Sequence, residues 1–444
     1  MPDAARVSYR GNSAAKGGTD METLRWTKTN KGQALFLGAL AVVTVHLVRS
    51  SLVSMEASWP ERAAGAAAAL IVAGTVGANY ERMSNPQRGL VALAFGLPSL
   101  AAGVGIHVVH AVFGFQPADI TGVPLAFAGL ALTVLGATIV VRLIDTWWRR
   151  LLLAPAGLAF FVWVMFPVVL AIAVTNVPRA EVCCDDTPAD HGFAYEDVTF
   201  ETPQGLTISG WYIPSENGAA VVTVHGSGST RVKTMDESLV LARNGYGVLM
   251  IDVEGFGESE GKANGFGWVG ARDVHAAVDY LRDERGIDDE KIGGLGLSMG
   301  GEVMIQAAGE STGLQAIVAE GATARTSDDL GEMPGANGII SSSIHVTVGL
   351  TLRFLTGEPA PPPLKEMVAQ IGPRPVLLIA ANIGEETTLS RMYQEVGGPS
   401  FQVWEIPEGD HVGAYDNHAE EYEKRVIAFL DEALLDAPPA VAEQ

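Results

Sequence analysis

Long apolar stretches dominate the first 177 residues of the chain. Five of them are separated by short polar or charged loops, at residues 33–53, 63–79, 89–115, 123–144 and 151–177. A membrane-spanning helix needs about 20 mostly apolar residues, because its backbone groups must hydrogen-bond within the segment. Four of the stretches meet that length comfortably, and the second is shorter and rich in Ala and Gly. The pattern predicts an N-terminal all-α transmembrane bundle of about five helices over residues 33–178.

From Tyr195 onward, short apolar runs alternate with helical stretches. The predicted strands are residues 196–202, 206–214, 219–225, 246–252, 291–297, 314–319, 375–381 and 401–406. This alternation indicates a C-terminal α/β domain with a doubly wound, mostly parallel sheet covered by helices on both faces. We expect the domain at residues 195–436, after a linker at 179–194 and before a tail at 437–444. An apolar insertion near residues 322–372 could form a short lid or pack against a membrane.

Charge separates the two parts of the chain. The 444 residues carry a net charge of −22, but residues 1–179 hold 14 Lys plus Arg against 8 Asp plus Glu, so the remainder carries −28. Such an acidic domain argues against a nucleic-acid partner. The expected partners are therefore the lipid bilayer and a small-molecule or lipid-like substrate.

Cations in the loops predict an orientation for the bundle. The polar tail, residues 1–32, is basic, and no clear cleavage site follows it, so we expect a retained membrane helix. With that tail inside, eleven cations face the cytoplasm and three face outward, which is the expected positive-inside bias. Five spans then place the α/β domain outside the plasma membrane. If the second stretch does not insert, the domain returns to the cytoplasm.

The stretch Gly293–Gly301 carries the clearest chemical motif. Its centre, Gly296-Leu297-Ser298-Met299-Gly300, fits the G-x-S-x-G nucleophile elbow, in which a strained turn between a strand and a helix lifts a serine above the sheet. Glycine is needed two residues on either side because neighbouring backbones crowd those positions. The alternative is an ordinary strand-to-helix turn of a nucleotide-binding sheet with a serine there by chance.

A second glycine-rich turn follows the strand that ends at His225. The backbone N–H of Ser227, paired with that of Met299, could stabilise an oxyanion beside Ser298. A flexible surface turn is the alternative, and a phosphate-binding loop is disfavoured because no Gly-Lys-Ser/Thr follows.

Taken together, these motifs resemble the α/β-hydrolase superfamily. The landmarks are His225-Gly226, the run Asp252–Ser259, the elbow at Ser298, and Gly409-Asp410-His411, in that order. The closest resemblance is to the bacterial esterase branch related to dienelactone hydrolases and prolyl-oligopeptidase-type domains. It covers about residues 195–435 and implies a serine esterase fold for that part alone.

In this superfamily the triad residues follow the order serine, acid, histidine. His411 is the predicted base, because it lies in a short loop between the last strand and the final helix, whereas His418 lies within that helix. The predicted acid is Glu385, which follows strand 375–381, with Glu386 as the alternative and Glu320 as a third candidate. Glutamate is an accepted triad acid.

The resulting hypothesis is a membrane-anchored serine hydrolase that cleaves a carboxylic ester with Ser298, His411 and Glu385. No metal or organic cofactor is required for this chemistry. A serine peptidase, an envelope acyltransferase and a catalytically silent membrane scaffold or sensor are the alternatives, because a fold does not by itself determine function.

Two further groups of residues attract attention. His46, His107 and His110 lie in the apolar region, where polar packing inside a bundle is favoured over a haem or proton-relay site. Cys183 and Cys184 are adjacent, which leaves an intermolecular disulfide, a strained vicinal bridge and two free thiols open.

Overall fold

The computed structural model describes residues 30–53, 58–108, 122–176, 179–182, 186–261 and 266–435. Within these ranges the chain forms two compact units, the first up to residue 157 and the second from residue 158 onward. His110, Cys183 and Cys184 lie outside the described residues.

Helices account for almost all of the first unit. Their bounds are α1 (Asn30–Val53), α2 (Trp59–Asn79), α3 (Asn85–Ala102), α4 (Gly122–Arg142), α5 (Trp147–Leu151) and the first part of α6 (Leu153–Phe160). Capping boxes begin α2 at Ser58 and α3 at Ser84, with a proline in the first turn of each helix.

Small residues allow α3 and α4 to approach closely. A Cβ on Gly96 would lie 2.6 Å from the backbone nitrogen of Thr133, and one on Gly129 would lie 2.3 Å from that of Leu100. Such contacts are typical of helices that pack in membranes, where close backbone approach replaces the hydrophobic effect. In the same unit the rings of His46 and His107 meet edge to face with their centroids 5.4 Å apart.

Five helical stretches of the described N-terminal region are long and apolar enough to cross a membrane. They are residues 31–52, 59–82, 85–107, 122–142 and 147–175. These ranges coincide with the five apolar segments predicted from the sequence. A sixth stretch with the same property, Gly335–Thr356, lies in the second unit and was not among them.

The second unit is built on an eight-stranded sheet. Its strands are β1 (Glu196–Glu201), β2 (Thr207–Ile213), β3 (Ala220–Val224), β4 (Gly247–Ile251), β5 (Ile292–Leu297), β6 (Ala316–Glu320), β7 (Val376–Ala381) and β8 (Phe401–Ile406). The strand order is β1-β2-β4-β3-β5-β6-β7-β8, with β1 and β2 antiparallel to their neighbours and the rest parallel. The predicted α/β fold class is thus confirmed.

Helices cover both faces of this sheet. After α7 (Phe166–Thr175) they are α8 (Met235–Arg243), α9 (Gly270–Asp283), α10 (Met299–Glu310), α11 (Ser327–Gly331), α12 (Gly335–Thr356), α13 (Leu364–Ile371), α14 (Glu386–Gly397) and α15 (Ala414–Leu434). Helices α9, α10, α13 and α14 contribute to one buried core, and α8 and α15 contribute to the other. Strands β3 to β7 are buried on both faces and, apart from Thr223 and Glu320, consist of apolar residues and glycine.

The predicted insertion, residues 322–372, folds as α11, α12 and α13. Helix α12 packs along the helical segment that ends in α7. The Trp163 indole N–H donates to the Ser343 hydroxyl at 2.8 Å, and the Thr347 hydroxyl donates to the Trp163 carbonyl at 2.8 Å. Farther along, Ala171 of α7 shares a buried apolar cluster with Val348 and Leu352 of α12.

Candidate active site

The turn between β5 and α10 holds Ser298 in a strained conformation. Its φ of 53° and ψ of −118° lie outside the regions that L-residues ordinarily adopt. A Cβ on Gly296 would lie 2.2 Å from the Gly300 carbonyl oxygen, and one on Gly300 would lie 2.2 Å from the Val224 carbonyl oxygen. The Ser298 N–H donates to the Glu320 carbonyl at 2.7 Å, which ties the turn to β6. Glycine is therefore needed at both positions, as the motif requires.

His411 lies in the loop between β8 and α15, with its ring directed at Ser298. Its Nε2 is 2.8 Å from the Ser298 Oγ, and its Nδ1 is 2.5 Å from the Glu386 Oε1. The hydrogen bond to Glu386 raises the pKa of His411 above its ordinary value. The two ring nitrogens thus join a hydroxyl on one side to a carboxylate on the other, which is the geometry of a serine hydrolase triad.

The carboxylate beside His411 belongs to Glu386, the alternative, and not to Glu385, the preferred acid. Glu386 is the first residue of α14 and is buried, and its Oε2 accepts the Ala381 N–H at 3.1 Å. The Glu385 Oε1 instead accepts the Ser341 hydroxyl of α12 at 2.9 Å. Adjacent residues at a helix start point about 100° apart, so only one of the two can face His411.

Glu320, the third candidate for the acid, contacts the segment that follows His411. Its Oε1 accepts the N–H of Ala414 at 2.8 Å, which holds the beginning of α15 three residues after His411. Burial raises the pKa of Glu320 to about 7. The structure therefore gives Glu320 a positioning contact to the histidine loop.

The turn at Gly226 and Ser227 lies beside the serine, as predicted. A Cβ on Gly226 would lie 3.4 Å from the Ser298 Cβ and 4.0 Å from its Oγ. Within the described residues, no hydrogen bond from the N–H of Ser227 or of Met299 to a protein acceptor is found. Both N–H groups therefore have no protein acceptor within the described residues near Ser298.

His225, which precedes that turn, is buried and structural. Its Nδ1 lies 2.7 Å from the Gly226 carbonyl oxygen, and its Nε2 accepts the Val253 N–H at 3.4 Å. Burial lowers the pKa of His225, so the ring is neutral and bridges two loops.

A buried ion pair behind the turn was not predicted. The Asp252 carboxylate accepts the Arg231 N–H at 2.7 Å and its guanidinium at 2.6 Å. The sequence pointed to Asp252, which follows β4, as one of the superfamily landmarks. It gave no indication that Arg231 would be the residue bound to it. The contact of Ser341 with Glu385 was also missed, because a serine in an apolar helix carries no such signal.

Among the residues that the structure describes, no group of three or more His, Cys, Asp or Glu side chains is placed to hold a metal ion. The side chains that meet at this edge of the sheet include those of Ser298, His411 and Glu386.

Comparison with known proteins agrees with this architecture. Residues 199–367 match the family model described as X-Pro dipeptidyl-peptidase (S15 family). The second unit belongs to the α/β-hydrolase superfamily. We call residues 158–435 the hydrolase unit from here on.

Three proteins illustrate what this part of the chain is similar to. The protein YfhR of Salmonella typhi, whose function is uncharacterised, is 26% identical in an alignment of 270 residues that covers 56% of this chain and 84% of YfhR. The alpha/beta hydrolase domain-containing protein WAV2 of Arabidopsis thaliana is 24% identical in an alignment of 256 residues that covers 55% of this chain and 81% of WAV2. An esterase of Pyrococcus furiosus superposes with a TM-score of 0.47 at 24% identity, covering 58% of this chain and 97% of the esterase.

Proposed function

We propose that this protein is a membrane-anchored serine hydrolase that cleaves a carboxylic ester through an acyl-enzyme. The observation that carries the proposal is the hydrogen-bonded series of Ser298, His411 and Glu386, with successive distances of 2.8 and 2.5 Å. Such a series makes a serine hydroxyl nucleophilic near neutral pH.

In the first half of the reaction, the Ser298 Oγ attacks the ester carbonyl carbon while His411 Nε2 takes the hydroxyl proton. The oxyanion that forms accepts hydrogen bonds from the N–H groups of Ser227 and Met299. The C–O bond to the leaving alcohol then breaks, and His411 returns the proton to that alcohol. Glu386 holds the Nδ1–H of His411 and stabilises the imidazolium.

In the second half, water attacks the acyl-enzyme. His411 takes one proton from the water, the new oxyanion occupies the same donors, and the bond to Ser298 breaks as the serine regains its proton. The products are a carboxylic acid and the enzyme in its starting state.

Peptide bonds are the second candidate substrate, because the family model that matches residues 199–367 describes dipeptidyl-peptidases. The same serine cleaves an amide when His411 protonates the leaving amine. Matched p-nitrophenyl esters and p-nitroanilides of one acyl group separate the two reactions. A higher kcat/KM for the ester supports the esterase proposal, and a higher value for an N-terminal dipeptidyl anilide contradicts it.

The activated serine is tested with a fluorophosphonate probe on the full-length protein in membranes. We expect labelling of the parent and of Ser400→Ala, whose hydroxyl makes only a long contact to the Gly397 carbonyl at 3.4 Å. Ser298→Ala should lose the label. A folded parent protein that stays unlabelled would contradict the enzyme proposal and favour the scaffold alternative.

We further propose that the hydrolase unit faces outward from the plasma membrane, on the basis of the cation distribution in the loops. Protease added to intact cells should then remove the unit. Complete protection, together with digestion after the cells are opened, would place it in the cytoplasm.

A further inference from the structure

Helix α12 presents apolar side chains outward. Along one stripe, Ile339, Leu350 and Phe354 are 73%, 65% and 86% exposed, and Val346 lies between them. The helix has 22 residues, its most apolar 18-residue window has a mean hydropathy of 1.3, and Arg353 near its end is its one Lys, Arg, Asp or Glu residue. A contiguous apolar surface of this kind marks an interaction site.

The opposite face of α12 is fixed to the hydrolase unit. Val348 and Leu352 are buried there, and Ser341 donates to Glu385. A Cβ on Gly338 would lie 2.3 Å from the Met333 carbonyl oxygen, so the first turn is also closely packed. These contacts determine which face of α12 points away from the sheet, and that face is the apolar one.

The apolar surface continues onto the neighbouring helical segment. Trp163 lies beside Ser343 and Thr347, and Ala171 lies with Val348 and Leu352, so the two helices run in the same direction. Within the hydrolase unit this segment also exposes apolar side chains: Leu158, Phe161, Val164, Phe166 and Leu170.

That neighbour belongs to the most apolar stretch of the described chain. The most apolar 18-residue window within residues 147–175 has a mean hydropathy of 2.5. Within the hydrolase unit, residues 158–175 of this stretch are helical and extend about 27 Å at 1.5 Å per residue, which is close to the roughly 30 Å of bilayer hydrocarbon. Helix α12 contacts this segment from Ser343 to Leu352, which is more than two helical turns, so the two helices are exposed to the same environment.

We infer that the outer face of α12 is buried in the acyl-chain region of the lipid bilayer. The hydrolase unit is therefore held at the membrane by a helix of its own insertion as well as by the preceding apolar helices. A lipid fits this face because its exposed side chains Val346, Leu350 and Phe354 are apolar, and the nearby Thr347 hydroxyl is already bonded to the Trp163 carbonyl. The exposed Arg353 lies near the end of the helix, where a long cation reaches headgroups. This inference goes beyond the proposed function and does not depend on catalysis.

The test uses the full-length protein in phosphatidylcholine vesicles. The two native cysteines are replaced by serine, and one cysteine is introduced at Leu350→Cys or Phe354→Cys for an environment-sensitive fluorophore. Glu420→Cys on α15, which is exposed, is the matched control. Near-ultraviolet circular dichroism checks that each labelled variant is folded. Vesicles with a nitroxide on the lipid acyl chain then report direct contact with hydrocarbon.

We expect labels at residues 350 and 354 to emit at shorter wavelength than the control and to be quenched several-fold more strongly by the acyl-chain nitroxide. Emission and quenching equal to those of the control would overturn the inference. Short-wavelength emission without lipid quenching would also overturn it, because another protein surface would then cover α12. Neither readout involves ester cleavage, so failure of the proposed function is distinguishable from failure of this inference.

Discussion

Helices α12 and α15 of the hydrolase unit are almost equal in length and opposite in outer chemistry. Helix α15, with 21 residues, buries Tyr422, Val426, Phe429 and Leu430 against the sheet and exposes charged residues. Its exposed charges include Glu420, Glu421, Lys424 and Arg425. Helix α12, with 22 residues, buries a narrower strip and exposes its large apolar side chains. Helix α15 has the usual pattern of a helix at a water-exposed surface, with apolar residues buried and charged residues exposed. Helix α12 instead exposes apolar residues.

Both helices adjoin the candidate site, so the contrast bears on catalysis. Helix α15 begins three residues after His411, where Glu320 accepts the N–H of Ala414. Helix α12 contacts Glu385, the residue before Glu386, through Ser341. The triad edge of the sheet is thus bordered by a helix with a charged outer face and by one with an apolar outer face.

The most direct test of this contrast is to change the two adjacent glutamates, because Glu386 is hydrogen-bonded to His411 and Glu385 is hydrogen-bonded to Ser341 of α12. We expect Glu386→Gln to lower kcat/KM by about 10⁴-fold, because the amide no longer stabilises the imidazolium or enforces the tautomer. Glu385→Gln should change it by less than about fivefold, because its partner is Ser341. Steady-state kinetics on one soluble ester measures both.

Circular dichroism of the two variants is the control for folding. A large loss in Glu385→Gln with little loss in Glu386→Gln would show that Glu385 is the acid after all, as the sequence hypothesis held. Equal losses would show that the turn after β7 does not keep the two carboxylates apart.

A second comparison replaces one glycine by alanine at the nucleophile turn and one on α12. Gly300→Ala places a Cβ 2.2 Å from a backbone oxygen of β3, so we expect a loss of unfolding free energy of more than ~3 kcal/mol. Gly349→Ala on α12 meets nothing within 4 Å and should be neutral or stabilise the helix by about 0.5–1 kcal/mol. Thermal unfolding of the two full-length variants measures the difference. A stable Gly300→Ala enzyme would contradict the close approach of β3 to the elbow.

The elbow was predictable from the sequence because its constraints are local. The five-residue pattern of Gly296, Ser298 and Gly300 marks the turn by itself, although the backbone that crowds Gly300 belongs to β3. His411 is marked by its place between the last strand and the final helix. The parallel sheet was also predictable, because short apolar runs indicate buried strands and the stretches between them have the apolar spacing of helices. Strands that alternate with helices form a mostly parallel sheet.

The remaining features depend on contacts between distant segments. Which glutamate faces His411 depends on the path of the turn through Gly384, whose φ is +57°, and on Ser341 from α12. The apolar residues of α12 were compatible with a lid, with a core helix and with a membrane contact, because the sequence does not show which face the sheet covers. The partner of Asp252 likewise lies 21 residues away.

Glu320, which holds the first turn of α15, provides a test of the charged side of the comparison. Its pKa is raised by burial to about 7 from an ordinary 4.5, so the folded state binds the proton more tightly than the unfolded state does. Stability must then fall as pH rises from about 4.5 to about 7, by up to ~3 kcal/mol. We expect Glu320→Gln to lose less stability than the parent between pH 5 and pH 8. Thermal unfolding at several pH values measures this, with the exposed Glu420→Gln as control, and an unchanged pH dependence would contradict a buried, proton-binding Glu320.

The smallest expected effect concerns the contact between α12 and the residue before the triad acid. Removing the Ser341 hydroxyl deletes one hydrogen bond to a partly exposed carboxylate, which is worth less than about 1 kcal/mol. Ser341→Ala and Glu385→Ala should therefore each lower stability slightly, and the double variant should lose less than the sum of the two, because both remove the same hydrogen bond. Thermal unfolding in a double-mutant cycle measures the coupling. Additive losses would mean that the hydrogen bond between Ser341 and Glu385 does not couple α12 to the triad edge.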